Sequence, residues 1–318
     1  MYDRAIPGVE AVRLFDDFLT ELAGEDVTVL LISGNHDSPE RLSYASRLLA
    51  EKRLHLCGAY DGAPQKVTIC DEYGEVNFWL LPFMKPHDVP AALEAADIDY
   101  GSRNVLVSHQ FYTKAGVAPI RSESELDPVG GLDAVTAELI EGFDYAALGH
   151  LHGSQDVGAE RIRYCGSPVK YSFSEWRQKK SMTIVDIKEK GDLVITAFPL
   201  TPIHDMREIK GELEKLTSDE IAGLADREDY LRVILTDEDE IIDPMGKLRS
   251  VYPNVMSLGF ENMRTSIDMG RVTSDSDAVE SLSPYELFGE FFLEMQGSVM
   301  SGEQAEIVRM LLERPGEE

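Results

Sequence analysis

The chain has 318 residues, of which 43% are hydrophobic and 28% charged, and its formal net charge is −28. That composition fits a globular protein with one large domain or two smaller ones. The acidity argues against gripping a polyanion through a general basic surface. No apolar run approaches the ~20 residues of a membrane span. The N-terminus "MYDRAIPGVEAVRLFDDF" lacks the basic-then-apolar order of a secretory signal, so the cytoplasm is the expected compartment, with no membrane partner. Cys57, Cys70 and Cys165 are odd in number and outside any CxxC, which argues against a disulfide framework or a thiolate zinc site; they are expected to be buried small hydrophobes.

In chain order, residues 8–23 place Val9, Val12, Phe15, Phe18, Leu19 and Leu22 on one helical face. "VTVLLIS" then reads as a central parallel strand, apolar on both faces. "PERLSYASRLLAEK" and "VPAALEAADI" read as helices. "KVTIC", "VNFWLLPF", "NVLVSHQF", "YAALGHLH", "IRYCGSP", "SMTIVDI" and "LVITAFPL" read as strands. Helices alternating with strands, then strands nearly back to back, predict an α/β fold in which a mixed β-sandwich is flanked by helices. From about residue 206 the pattern changes to a small α+β unit read as helix, strand, helix, strand up to residue 262. Residues 263–283 are Ser/Asp-rich and read as a linker, and residues 284–318 as two amphipathic helices with Ser283 and Ser301 as N-caps.

Four of the seven histidines, His36, His109, His150 and His152, lie just past the C-terminal ends of expected strands, where α/β sheets assemble their sites. His55, His87 and His204 show no such placement and read as structural or surface residues. Gly34-Asn35-His36-Asp37 could be a simple turn, since its residues tolerate left-handed conformations. "GHLHG" is harder to read that way. On an extended segment its two imidazoles point to the same side, and the flanking glycines permit close backbone approach. Neutral imidazoles together with an amide oxygen suit Mn, Fe or Zn better than Ca or Mg.

"GNHD", "SHQ" and "GHLHG", in this order, resemble the later motifs of the calcineurin-like metallophosphoesterases. More narrowly, "ISGNHDSPERLSYASRLL", "VSHQFYTKAG", "SESELDPVGGLDAV", "FDYAALGHLHGSQ" and "YCGSPVKYSFSE" resemble the SbcD family, nuclease subunits of the SbcCD exonuclease, and the likeness covers nearly the whole chain. The resemblance implies a two-metal phosphodiesterase, with Mn²⁺ as the preferred ion. Asn35, His109 and His150 would hold one metal and His152 would reach the other. His36 would act on the scissile phosphate as an acid or charge stabiliser, with Asp37 orienting its ring. It also implies a phosphoesterase domain over residues 1–205, a capping domain over 206–262, and C-terminal helices that dock an SbcC-type ATPase. The assembly would be a homodimer within a heterotetramer, acting on DNA ends and hairpins in repair.

The family pattern also carries an Asp-x-His after a first strand and a Gly-Asp ahead of a segment like Tyr2-Asp3-Arg4. Neither is found here, so a chain lacking its N-terminal motifs is expected, with neutral ligands and no carboxylate bridge. A two-metal cluster should then form poorly. Two other readings are a metallophosphoesterase for a different phosphodiester, and an inert core whose C-terminal helices still bind the ATPase. The capping unit, linker and paired helices favour the nuclease subunit over a small-molecule phosphatase.

Overall fold

The computed structural model describes residues 1–114, 119–122, 125, 134–262, 283–296 and 299–312. It divides into two compact units, Met1–Pro202 and Ile203–Glu318. The expected linker, apart from Ser283, and most of "SESELDPVGGLDAV" lie outside the described residues.

The first unit opens with helix α1 (Val9–Gly24) and strand β1 (Val29–Ile32), followed by α2 (Pro39–Leu42), α3 (Ser46–Ala50) and β2 (Leu54–Cys57). Next come β3 (Gln65–Asp71), β4 (Gly74–Leu81), α4 (Val89–Ala95), β5 (Arg103–Ser108), and the short β6 (Tyr112–Thr113) and β7 (Val135–Thr136). β8 (Tyr145–Leu148), β9 (Gln155–Asp156), β10 (Ile162–Tyr164), β11 (Ser181–Ile187) and β12 (Leu193–Pro199) complete it. The main sheet has the order β3-β4-β5-β8-β10-β9. Its four inner strands are parallel, and β3 and β9 run antiparallel at the rims. Strands covered on both faces read as unbroken apolar runs; accordingly Leu80, Leu81, Leu106 and Leu148 are no more than 2% exposed. One layer of the core joins the sheet to α4, Ile140 and Phe143. On the other side, Val185, Ile187 and Ile195 of the β11–β12 hairpin pack on Val76, Val105 and Tyr145. This is a mixed α/β architecture of sheets flanked by helices, in agreement with the calcineurin-like fold expected.

Several local expectations differ from the structure. β1 is not a central strand: among the described residues it pairs only with β2, and all four of its residues are half-buried. Nor is α1 covered along its whole apolar stripe. Phe15 and Leu19 pack toward Leu42, Leu54 and Leu56, while Val9, Val12 and Phe18 remain exposed. The single helix expected from residue 39 breaks into α2 and α3 because Ala45, at φ 57°, leaves the right-handed region. Of the three cysteines only Cys57 is buried.

The second unit begins with a strand rather than a helix. β13 (Met206–Gly211), α5 (Leu213–Leu216), α6 (Asp219–Ala222), β14 (Tyr230–Leu235), α7 (Pro244–Arg249) and β15 (Val255–Phe260) form a three-stranded parallel sheet with β14 in the centre. Pairing of Met206–Gly211 with β14 overrides the helical pattern of "MREIKGELEKL". Leu231, Val233, Leu235 and Leu248 fill its core. Helices α8 (Pro284–Gln296) and α9 (Gly302–Leu312) follow. Ser283 accepts from the Glu286 N–H while the Glu286 carboxylate accepts from the Ser283 N–H, and Ser301 and Gln304 repeat the exchange, so both N-terminal caps are capping boxes. Arg309 lies 4.8 Å from the Tyr285 ring, joining the two helices. Leu287, Phe291, Ile307 and Leu311 nevertheless stay exposed. Met295, also expected on the apolar stripe, lies outside the described side chains. Among the described residues no helix is long and apolar enough to cross a membrane.

Candidate metal centre

The site is built where β5 and β8 end side by side. Ser108 pairs with Leu148, and the Gly149 N–H donates to the Ser108 carbonyl at 2.9 Å, so His109 and His150 leave neighbouring strands at the same edge. β1 reaches that edge too, because the Phe83 N–H just beyond β4 donates to the Ser33 carbonyl. Asn35 Oδ1 consequently lies 3.1 Å from His109 Nε2, and the rings of His109 and His150 meet edge to face with centroids 5.5 Å apart. Two glycines make room for this. A Cβ on Gly34 would stand 2.9 Å from the His109 ring, and one on Gly149 would stand 2.7 Å from it.

His150 has φ 109°, in a region that residues with side chains rarely occupy. β8 has already ended at Leu148, so strand alternation does not aim His150 and His152 as the sequence suggested. The strained backbone at His150 turns that residue instead. Burial, followed by the neighbouring His150, pushes the His109 pKa down to about 3. Burial, with Arg121, His152 and His36 nearby, lowers that of His150 to about 4. Arg121 itself lies over the Phe111 ring, 3.8 Å from its centroid. Both imidazoles are therefore neutral at physiological pH, the form in which histidine binds metals. The Nδ1 of His150 is buried without a hydrogen-bond partner.

His36 is exposed, and its Nδ1 faces the Asp3 carbonyl at 2.8 Å. Asp37, expected to orient that ring, is engaged elsewhere. Its buried carboxylate accepts from the N–H groups of Gly34 at 2.7 Å and Tyr2 at 2.8 Å, and from the α-amino group of Met1. Closing its own turn on three donors, it shapes the loop, and the Asp3 carbonyl holds the ring.

His152 points its Nδ1 at Glu175 Oε1, 3.0 Å away, and Glu175 is wholly buried and paired with Lys180 Nζ at 2.6 Å. The His152 main chain is pinned as well: its N–H donates to Glu125, and its carbonyl accepts from Lys180 and from the Ser167 N–H. At Gly166, φ 80°, a Cβ would lie 2.8 Å from that carbonyl, which explains the glycine in "YCGSP". Glu125, Glu175 and Lys180 were not picked out from the sequence. They sit in polar runs such as "FSEWRQKK" that have no periodicity to separate them from a solvated loop.

Whether these residues suit a metal can be judged from the donors. Two neutral imidazoles, one with an orphaned buried nitrogen, and an amide oxygen at 3.1 Å fit a single ion, since ligands at right angles on bonds of ~2.1 Å are about 3 Å apart. Among the described residues, no group of three or more His, Cys, Asp or Glu side chains is arranged to hold an ion. The donor set thus fits one ion better than a carboxylate-bridged pair.

A protein from Staphylococcus epidermidis, named as the SbcD component of the nuclease SbcCD, is 30% identical over 277 residues, covering 81% of this chain and 72% of the relative. The chain belongs to the SbcD family. A second relative of the same name, from Staphylococcus saprophyticus, is 27% identical over 98% of this chain and 85% of its own length. Residues 202–296 match the family model described as the type 5 capsule protein repressor C-terminal domain, SbcD_C.

Proposed function

We propose that the chain is a metal-dependent nuclease subunit that hydrolyses DNA phosphodiesters together with an SbcC-type ATPase, in the processing of DNA ends and hairpins. The observation that carries this reading is the convergence of Asn35, His109 and the His150 ring at adjacent strand ends, with the Nδ1 of His150 buried and without a hydrogen-bond partner. These three would hold one Mn²⁺, and His152 would reach a second only where further ligands from outside the described residues complete it. Bound ions supply Lewis-acid polarisation of the phosphoryl oxygens. His36 carries out the remaining proton chemistry. Its Nδ1–H is held by the Asp3 carbonyl, so in the imidazolium form it can deliver a proton from Nε2 to the leaving oxygen. With a net charge of −28, the grip on DNA falls largely to the partner. Both relatives are named as components of SbcCD, which supports a partnered enzyme.

A second reading, a docking module without catalysis, is favoured by the lack, among the described residues, of any group of three or more His, Cys, Asp or Glu side chains arranged to hold an ion, and by the exposed apolar helices. Co-expression of the full chain with an SbcC-type ATPase, followed by a linear-duplex cleavage assay with Mn²⁺ and ATP, separates the two. Cleavage that disappears in His150→Ala supports the nuclease; an intact complex that leaves DNA uncut overturns it in favour of the docking module.

A further inference from the structure

We infer that Glu175 and Lys180 form a buried positioning pair that fixes His152 in the tautomer with its proton on Nδ1, so that Nε2 carries the lone pair. Glu175 is 0% exposed and Lys180 8%, and Lys180 Nζ reaches Glu175 Oε2 at 2.6 Å, Gln178 Oε1 at 2.7 Å, Ser167 Oγ at 2.8 Å and the His152 carbonyl at 2.9 Å. Oε2 is held by the ammonium, and Oε1 faces the ring at 3.0 Å from Nδ1. An ionised carboxylate accepts hydrogen bonds and cannot donate one, so the Nδ1 beside it has to carry the proton. Which ring nitrogen is protonated follows from the bond the other makes, and a carboxylate behind a histidine both sets the tautomer and raises the basicity of the exposed nitrogen. The same ammonium grips the main-chain carbonyl of His152, so ring and backbone are positioned from one point. The consequence for metal binding rests on the proposed role of His152 as a ligand, whereas the tautomer can be read without any metal.

The test is ¹⁵N NMR of the His152 ring in the metal-free full chain at pH 8, assigned by loss of its signals in His152→Gln. The wild type should show a protonated Nδ1 and an unprotonated Nε2. In Glu175→Gln the side chain keeps a single oxygen, which Lys180 claims, so the amide NH₂ turns toward Nδ1 and the proton moves to Nε2; the two nitrogen signals should exchange character. A wild-type ring protonated at Nε2, or a Glu175→Gln ring still protonated at Nδ1, overturns the proposal. If Glu175→Gln does not fold, the wild-type spectrum alone decides. Neither result depends on nuclease activity, so failure here is distinct from failure of the nuclease reading.

Discussion

The Nε2 of His109 stands 3.1 Å from the Oδ1 of Asn35, a residue 74 positions earlier in the chain. Two polar groups brought that close from separate strands, one on a ring held neutral by burial, would form the nucleus of the proposed ion site. With His150 they supply three neutral donors and no carboxylate, which suits a softer divalent ion held weakly. Calorimetry on the full chain should therefore find one weak Mn²⁺ site, lost in His150→Ala. In His36→Ala the site should persist while nuclease turnover of the partnered complex falls by about 10²-fold, the loss expected of an acid that binds no metal. Two tight sites per chain, or equal loss of metal in both variants, would contradict this division of roles.

Acid should weaken the metal-free fold through the same two rings. Their folded pKa values, about 3 for His109 and about 4 for His150, lie below the 6.5 of the unfolded chain. Between those limits the unfolded state binds more protons. The stabilisation is complete above pH 6.5 and lost as pH falls toward 4 and then 3. Each ring should contribute about 1–2 kcal/mol of the loss between pH 7 and pH 5. Urea denaturation in EDTA at the two pH values would measure it, and in His109→Asn the drop should shrink by the share of that ring.

Gly149→Ala places a methyl group 2.7 Å from the His109 ring, against a neighbour held from the other side by Gly34. Displacing the ring should cost about 1–3 kcal/mol of stability, as overpacking does, and should weaken Mn²⁺ binding beyond detection. A melting curve and a metal titration that both match the wild type would show that the ring has room to move.

The helices α8 and α9 touch each other but, among the described residues, add no side chain to the core formed by Leu231, Val233 and Leu248. Deleting residues 284–318 should therefore leave the melting temperature of the remaining chain nearly unchanged and abolish co-purification with an SbcC-type partner, whose groove the exposed Leu287 and Phe291 would enter. Phe291→Glu in the full chain should do the same. A large fall in melting temperature would assign the helices to the fold itself.

Local patterns in the sequence were enough to establish the α/β class, five of the six strands of the main sheet, the capped C-terminal helices and the placement of four histidines at strand ends. Apolar runs, N-cap residues and glycines act within a few positions of themselves, and their meaning survives without knowledge of the rest of the chain. Strand neighbours were not legible in the same way. "VTVLLIS" has the composition of a central strand, yet β1 pairs only with β2 among the described residues, and "MREIKG" became a strand because β14 was there to pair with it. At the site, the sequence singled out Asn35, His109, His150 and His152 as candidates, but not what holds His152. Glu175 and Lys180 look like any polar loop until the fold removes them from water, and the buried charges are then satisfied by each other and by the polar groups around them, the His152 ring among them.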